Sequence, residues 1–397
     1  MRRTPPSEIN QRIAALQKLL GENNIDGALI ADSADMFYFT GSAQRGYLFI
    51  PAAGNPLMAI KRSFTRAKED SALTDIVSLG NIKALPALLA ERGYTKLASL
   101  GLEMDVLPTS LYLNCQKIFS DTKLVDISGL IRNVRMIKSP YEIEILKDAA
   151  KLNCKMFSQV EGYLERYLKE GITELDLAGY LEGFSRSEGH AGRVRMRGFD
   201  QEVFYGHVLS GTNCSIPGCM ESPTGGPGSS VSAPQGAGYK KIARDEVVFI
   251  DFVAVYDGYL ADQSRAFCMG KLPDKLVKAH EVALEIQAAI QQKAKPGVLC
   301  EDMHKMALKM ADESGFGAYF LGYPEPVVFV SHGVGIELNE WPVMALGIKV
   351  PLEKGMVMAV EPKFIFPEGA VGVENTFVVG DNGLEKLTVF NEGINYV

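Results

Sequence analysis

Hydrophobic positions in the first third of the chain alternate between helical and strand-like spacing. Ser7 can cap a helix whose apolar residues within 13–20 fall on one face, and residues 27–31 then form an apolar run of strand length. Further strand-like runs occur at 47–50, 57–60, 76–79 and 97–102, and helical spacing recurs at about 84–92 and 106–118. This alternation predicts an α/β layer domain.

A second domain is predicted to open near residues 135–140. Pro140 can begin a helix, and residues 141–167 continue with a long helical pattern. We therefore expect one domain over 1–138 and another over 139–397. Residues 211–238 are so rich in Gly, Ser and Pro that they are predicted to be loop. Because a strong strand pattern over 247–256 follows, we place this loop inside the second domain, over a site.

Composition and charge restrict the partners. Apolar residues make up 47% of the chain and charged residues 22%, which is typical of a globular protein. The formal net charge of −7 favours neither nucleic acid nor anionic lipid as a partner. The longest apolar runs, such as 247–250 and 327–330, fall far short of the ~20 residues that span a bilayer. The N-terminus lacks the apolar segment of a signal peptide, so we expect a cytoplasmic protein without a membrane partner.

The first candidate for chemistry is a predicted hairpin that carries two aspartates. Asp257-Gly258 is a two-residue turn signal, so the flanking runs should pair antiparallel, with residue 251 opposite residue 264. Asp251 and Asp262 then lie on one face as diagonal neighbours, with backbones roughly 7–8 Å apart. Their side chains could close on a metal ion. The alternative is a pair of surface aspartates near a turn.

A second hairpin repeats this arrangement with two glutamates. Residues 367–369 form the predicted turn, and the simplest register sets Glu361 opposite Glu374, although a bulge at Gly369 could shift it by one residue. Two facing acids among apolar neighbours would repel each other unless a positive charge lay between them. A metal ion would supply that charge. The alternative is an exposed pair on the solvent face.

A histidine completes the set of candidate ligands. His332 stands at the end of a predicted strand that enters a glycine turn. Four carboxylates and one imidazole suit Mn, Fe, Co or Zn at a two-metal centre, which can activate a water molecule. The predicted ligands are Asp251, Asp262, His332, Glu361 and Glu374.

The order Asp, Asp, His, Glu, Glu resembles the pita-bread metallopeptidase family, which includes aminopeptidase P, prolidase, methionine aminopeptidase and the metal-free relative creatinase. The resemblance implies an α/β creatinase-like N-terminal domain, an α+β pita-bread catalytic domain and a homodimer. It also implies two divalent metal ions, with manganese as the first expectation and Co, Fe or Zn as alternatives. Asp251 would chelate one ion, Asp262 and Glu374 would bridge both, and His332 and Glu361 would hold the other.

The resemblance further implies an Xaa-Pro aminopeptidase or dipeptidase that releases an N-terminal residue from short peptides, with Glu361 assisting proton transfer. The chain departs from the family pattern at two positions. Asn339 and Gly218 stand where the peptidases carry histidines. An Asn339 amide can donate a hydrogen bond to an oxyanion but cannot carry a proton. His207 is a candidate replacement for the lost proton donor, and a structural histidine is the alternative.

Two other functions remain open at this point. One is a hydrolase or lyase that cleaves a C–N bond in a small amide-like, non-peptide substrate, as creatinase does. The missing histidines favour this alternative. The other is a non-catalytic relative that uses the cleft for binding.

Overall fold

The computed structural model describes residues 2–199 and 201–397. The chain separates into two compact units. The first contains the residues up to Arg135 and the short segment that starts at Arg197, and the second contains Met136–Met196 and Gln201–Val397. Among the described residues, no helix combines the length and apolar character needed to cross a membrane.

The first unit is built around a six-stranded sheet with strand order β4-β3-β2-β1-β5-β6. Its strands are β1 (Gly27–Ile30), β2 (Gly46–Pro51), β3 (Leu57–Ile60), β4 (Ile76–Ser78), β5 (Ser99–Leu102) and β6 (Lys123–Asp126). Its helices are α1 (Pro6–Glu22), α2 (Ser33–Thr40), α3 (Phe64–Asp70), α4 (Leu85–Ala90), α5 (Thr109–Ile118) and α6 (Ser128–Met136). The predicted α/β character of this part of the chain is confirmed.

The N-terminal helix shows where sequence reasoning placed a boundary wrongly. The apolar residues Ile13, Leu16 and Leu20 are buried on one face of α1, as predicted. The predicted cap at Ser7 is wrong, because α1 already begins at Pro6 and Pro5 occupies the N-cap without a side-chain hydrogen bond. A proline can stand in the first turn because the backbone N–H that it lacks has no partner within the helix there.

An ion-pair network explains why the segment at Arg197 belongs to the first unit. Asp35 in α2 is buried and accepts hydrogen bonds from Arg135 (2.6 Å) and Arg197 (2.7 Å). Burial would raise the pKa of Asp35, but the two guanidinium charges outweigh it and lower that pKa. A buried carboxylate needs such partners to remain ionised.

The second unit contains three sheets, with orders β11-β10-β12-β15-β16, β13-β14 and β17-β9-β8-β7. Its strands are β7 (Gly206–Ser210), β8 (Val247–Tyr256), β9 (Tyr259–Cys268), β10 (Phe329–Gly333), β11 (Glu340–Ala345), β12 (Val357–Val360), β13 (Lys363–Phe366), β14 (Gly369–Gly372), β15 (Asn375–Val379), β16 (Leu384–Lys386) and β17 (Asn395–Tyr396). Its helices are α7 (Pro140–Phe157), α8 (Val160–Tyr167), α9 (Glu174–Ser187), α10 (Asp274–Lys293) and α11 (Cys300–Glu313).

The helix predicted to start at Pro140 does so. Ser139 caps α7 and forms a reciprocal capping box with Glu142. The predicted continuous helical pattern to Tyr167 is interrupted, because α7 ends at Phe157 and α8 begins at Val160.

The predicted register of the first hairpin is confirmed. Asp251 lies opposite Ser264 and Asp262 lies opposite Val253 in the β8–β9 ladder. Asp257 and Gly258 both have positive φ angles, of 44° and 88°. Positive φ at both central residues is the conformation of a type I′ turn, whose twist matches that of the paired strands.

The simplest register of the second hairpin is also confirmed. Val360 pairs with Asn375 at one end and Lys363 pairs with Gly372 at the other, which leaves Glu361 opposite Glu374. Phe366 pairs with Gly369, so no bulge shifts the register. The predicted turn over 367–369 is one residue too long, because Gly369 already belongs to β14 and the turn contains residues 367 and 368.

The glycine-rich loop over 211–238 is fastened at both ends by one buried carboxylate. Glu174 in α9 accepts hydrogen bonds from the backbone N–H of Ser210 (2.6 Å), from the side chain of Asn213 (2.9 Å) and from the N–H of Gly238 (3.0 Å). The loop has few apolar residues with which to pack. These bonds therefore fix its position within the second unit.

Replacement of Glu174 by alanine is expected to release this loop. The change leaves buried donors without an acceptor and should lower the free energy of unfolding by about 2 kcal/mol. Limited proteolysis should then cut within 211–238 faster than in the unmodified protein. Glu161→Ala, on exposed α8 surface, is the control. Equal cutting rates in both variants would contradict this role of Glu174.

Candidate metal centre

The five predicted ligands converge where the two larger sheets of the second unit meet. An isolated bridge between Ser264 and Glu374 joins β9 to the end of β15. Asp251 comes from β8, Asp262 from β9 and His332 from β10, whereas Glu361 and Glu374 lie at the junction of the second hairpin and the five-stranded sheet. The four carboxylate residues are all buried. Neither hairpin therefore presents its acids to solvent, which was the alternative for both.

Three of the candidate ligands place one atom each close enough together to bind a single metal ion. Atoms of Asp262, His332 and Glu374 all lie within 4.8 Å of one another. His332 Nε2 is 3.8 Å from Asp262 Oδ2, 3.7 Å from Glu374 Oε1 and 3.5 Å from Glu361 Oε1. Ligand atoms bound tetrahedrally at about 2.1 Å from one ion lie about 3.4 Å apart. The observed separations are slightly wider than this value.

The imidazole of His332 is oriented by its second nitrogen. Nδ1 lies 2.8 Å from the carbonyl oxygen of Leu338, which can only accept, so Nδ1 donates and Nε2 points toward the carboxylates. Metal-binding histidines in proteins are commonly held in this way. Burial lowers the pKa of His332, but the carboxylates of Glu374 and Glu361 outweigh burial and raise it to about 9.

Glu374 supplies the most direct sign that a cation belongs here. Its Oε2 accepts a hydrogen bond from Ser264 Oγ at 2.6 Å. Its Oε1 is buried and has no hydrogen-bond partner among the described residues. His332 Nε2 lies 3.7 Å away, too far for a hydrogen bond. A buried carboxylate oxygen without a hydrogen bond is costly unless a cation binds it. The donor set therefore fits a divalent metal ion.

A buried lysine lies in the middle of this cluster and was not predicted. Lys363, the first residue of β13, has a fully buried side chain. Its Nζ lies 2.8 Å from each of Asp251 Oδ2, Glu361 Oε2 and Glu374 Oε2. The sequence did contain a signal. Residues two apart on a strand share a face, and a lysine two positions after Glu361 precedes the apolar run 364–366.

The pKa values of the acids reflect their crowding. Burial raises the pKa of Glu361 to about 7, although the charge of Lys363 opposes this rise. The pKa of Asp262 rises well above its usual value because of burial and the charges of Glu374 and Asp251. Burial would also raise the pKa of Glu374, but Lys363 outweighs burial and lowers it. The four carboxyl groups therefore resist being ionised together, and a divalent cation bound among them would relieve that repulsion.

Two side chains fix the backbone of the acidic residues rather than their carboxylates. Thr376 Oγ1 accepts from the N–H of Asp262 and donates to its carbonyl oxygen, both at 2.9 Å. Arg265 donates to the carbonyl oxygen of Glu374 at 2.8 Å. These bonds clamp β9 to β15 beside the centre.

His207 lies beside Asp251, its register partner in the β7–β8 ladder. Its Nε2 is 2.7 Å from Gln235 Nε2, and its Nδ1 is 3.0 Å from Thr224 Oγ1. Gln235 Oε1 accepts from the N–H of Cys219 at 3.1 Å, which fixes the orientation of the amide. Nε2 of His207 therefore accepts and Nδ1 donates. Burial lowers the pKa of His207, although the charge of Asp251 opposes this, and favours the neutral ring.

The two positions at which the resemblance led us to expect histidines, Gly218 and Asn339, have different surroundings. A Cβ atom at Gly218 would lie 2.1 Å from Gln235 Oε1, so the Gln235 amide occupies the space next to that residue. Asn339 is half-buried in the connection between β10 and β11. It directly follows Leu338, whose carbonyl oxygen holds the ring of His332.

A cavity of about 210 Å³ lies beside Phe329, three residues before the histidine. The start of the glycine-rich loop, including Ile216 and Gly218, forms one wall, and Tyr323 and Phe329 form part of the other. The ring of Phe329 packs edge-on against the imidazole of His332, with centroids 5.9 Å apart. Phe329 therefore lies between this cavity and His332.

Comparison with known proteins agrees with this architecture. Residues 144–381 match the model of metallopeptidase family M24, and residues 12–137 match the creatinase/prolidase N-terminal domain. An Xaa-Pro dipeptidase of Pyrococcus furiosus is 27% identical over 383 residues, covering 96% of this chain and 98% of that protein. An uncharacterised peptidase of Bacillus subtilis is 28% identical over 95% of this chain and 97% of its own length.

Solved structures show the same similarity. An Xaa-Pro dipeptidase from Bacillus anthracis superimposes with a TM-score of 0.82 at 25% identity, covering 98% of this chain and all of that one. The prolidase of Pyrococcus horikoshii gives a TM-score of 0.78 at 25% identity, with coverage of 96% and 99%. The predicted combination of a creatinase-like α/β domain with an α+β pita-bread catalytic domain is confirmed.

Removal of the Ser264 hydroxyl is expected to weaken metal binding. Ser264→Ala deletes the hydrogen bond that orients Glu374, and losses of about 10–100-fold in affinity are typical of such changes. Competition with a chelating dye would measure the affinity. Ser331→Ala is a matched control, since its buried hydroxyl has no partner among the described residues. Equal affinities for the two variants would contradict the assigned role of Ser264.

Proposed function

Because the chain belongs to metallopeptidase family M24, we propose that it is an Xaa-Pro dipeptidase or aminopeptidase acting on short peptides. Family membership makes the chain a metal-dependent peptidase and supports a dinuclear centre. The proposal rests on one structural observation above all, the convergence of ligand atoms from Asp262, His332 and Glu374. The names of the dipeptidases from Pyrococcus furiosus and Bacillus anthracis support Xaa-Pro peptides as the substrates.

We propose that the five residues predicted from the sequence form the cation-binding site. These are Asp251, Asp262, His332, Glu361 and Glu374. A divalent ion bound here would polarise the scissile carbonyl and lower the pKa of a water molecule. Manganese is the first expectation, because oxygen ligands dominate the set, and Co, Fe and Zn are the alternatives.

Three side chains are assigned roles in the reaction. Glu361 Oε1 is the carboxylate oxygen of that residue not bound by Lys363, and we assign it to take up and return a proton. Asn339 follows the residue that orients His332, and its amide would donate a hydrogen bond to the developing oxyanion. His207 lies beside Asp251, and its Nε2 accepts a hydrogen bond from Gln235. Once substrate displaced Gln235, the His207 ring would transfer a proton to the leaving amine.

The cavity lined by Phe329 is the proposed site for a substrate side chain. Its volume of about 210 Å³ suits a small residue such as proline. We further propose that residues 1–138 form the creatinase-like N-terminal domain and residues 139–397 the catalytic domain. A homodimer located in the cytoplasm, with no nucleic-acid or membrane partner, completes the proposal.

A small non-peptide C–N substrate is the second candidate. The observation that favours it is the exchange of two family histidines for Asn339 and Gly218, which alters the hydrogen-bond donors facing the substrate. A change of donors changes which leaving groups can be stabilised. The two candidates share the centre and differ only in what fills the cavity.

Cleavage of a peptide panel tests the proposed function. Metal-stripped protein resupplied with Mn, Co, Fe or Zn is expected to release one N-terminal residue from short Xaa-Pro peptides, as read by mass spectrometry. Asp262→Ala should abolish this release, because it removes one of the three converging ligands. Metal-loaded protein that cleaves no peptide in the panel would contradict the peptidase assignment and favour the second candidate.

Replacement of His207 by alanine tests its assigned role. General acid–base groups typically contribute about 100-fold or more to turnover. We therefore expect kcat to fall by about that factor and the pH–rate profile to shift. Thr224→Ala keeps the ring and removes one of its partners, so its loss should be smaller. Full turnover with an unshifted profile in His207→Ala would show a purely structural histidine.

A further inference from the structure

We propose that the ammonium group of Lys363 takes the place of one of the two divalent ions, so that the centre binds a single metal ion. That ion would lie among Asp262, His332 and Glu374, with Glu361 beside it, whereas Asp251 would serve the ammonium. The inference rests on the proposed function only in requiring that the centre binds metal.

The oxygens of two glutamates divide between the two cation positions. Oε2 of Glu361 and Oε2 of Glu374 each lie 2.8 Å from Lys363 Nζ. Oε1 of the same residues faces His332 Nε2, at 3.5 Å and 3.7 Å. Carboxylates shared in this manner are those that bridge neighbouring cations. In this chain one of the two neighbouring cations is the side-chain ammonium group of Lys363.

A metal ion cannot share the position of Nζ. A divalent transition-metal ion would stand about 2.0–2.2 Å from the carboxylate oxygens it binds. Asp251 Oδ2, Glu361 Oε2 and Glu374 Oε2 already converge on Nζ at 2.8 Å. An ion bound to the same three oxygens would therefore overlap the ammonium group.

Both the backbone and the side chain of Lys363 are closely surrounded. Its side chain is fully buried, and its carbonyl oxygen accepts a hydrogen bond from Leu321 at 2.9 Å. On the opposite strand, a Cβ atom at Gly372 would lie only 2.7 Å from the Cα of Lys363. The ring of Phe249 lies on another side, with its centroid 5.9 Å from Nζ. Withdrawal of the ammonium would therefore require rearrangement of packed residues.

The hydrogen bonds of the ammonium define what Lys363 can do. An ammonium group has three N–H donors, and three carboxylates accept them here. No donor is left for a substrate atom, so Lys363 is a positioning residue rather than a proton donor. It supplies one fixed positive charge and holds Glu361 and Glu374 for the remaining ion.

Metal stoichiometry tests this inference. The intact chain, stripped and dialysed against excess Mn²⁺, is expected to retain one ion per chain by elemental analysis, with the electron paramagnetic resonance spectrum of an isolated ion. Lys363→Ala vacates the second position and should retain two ions with an exchange-coupled spectrum. Lys138→Ala removes another buried lysine paired with a carboxylate, Glu340 at 3.0 Å, and should remain at one ion.

Each outcome separates this inference from the proposed function. Two coupled ions in the unmodified chain would overturn the inference and leave the metallopeptidase assignment intact. Retention of one ion by folded Lys363→Ala would also overturn it. Absence of any bound ion in the unmodified chain would contradict the proposed function itself. If Lys363→Ala failed to fold, the stoichiometry and spectrum of the unmodified chain would decide.

Discussion

The second unit depends on how it accommodates four carboxylates buried at the junction of two sheets. Such a cluster is unstable in an apolar environment unless positive charge compensates it. Lys363 neutralises part of that charge through three hydrogen bonds of 2.8 Å. The oxygen of Glu374 that accepts no hydrogen bond from the described residues marks where a cation would bind. The protein's own electrostatics thus favour a bound cation, in agreement with family membership.

Local sequence signals were sufficient to predict how the acids are brought together. The Asp257-Gly258 pair fixes the register of one hairpin, and the two-residue turn at 367–368 fixes that of the other. Because side chains alternate along a strand, a register determines which acids share a face. The same reasoning applied to the residue after Pro362 would have found Lys363. It was missed because only acids and histidines were considered as members of the centre.

Other features could not be predicted because no periodic pattern encodes them. Thr224 and Gln235 reach His207 from a glycine-rich loop, and tertiary hydrogen bonds to Glu174 set the course of that loop. The contact between Gly218 and Gln235 is equally non-local. The Gln235 amide, which binds His207, fills the space where a side chain at Gly218 would lie.

The central claim is that one divalent ion and one ammonium group share the four carboxylates. A crystal structure of the manganese-loaded protein, with diffraction data collected at the manganese absorption edge, tests it most directly. We expect one anomalous peak per chain, enclosed by Asp262, His332 and Glu374, with Lys363 Nζ still bound to Asp251. Two peaks, with the lysine displaced from the carboxylates, would contradict it.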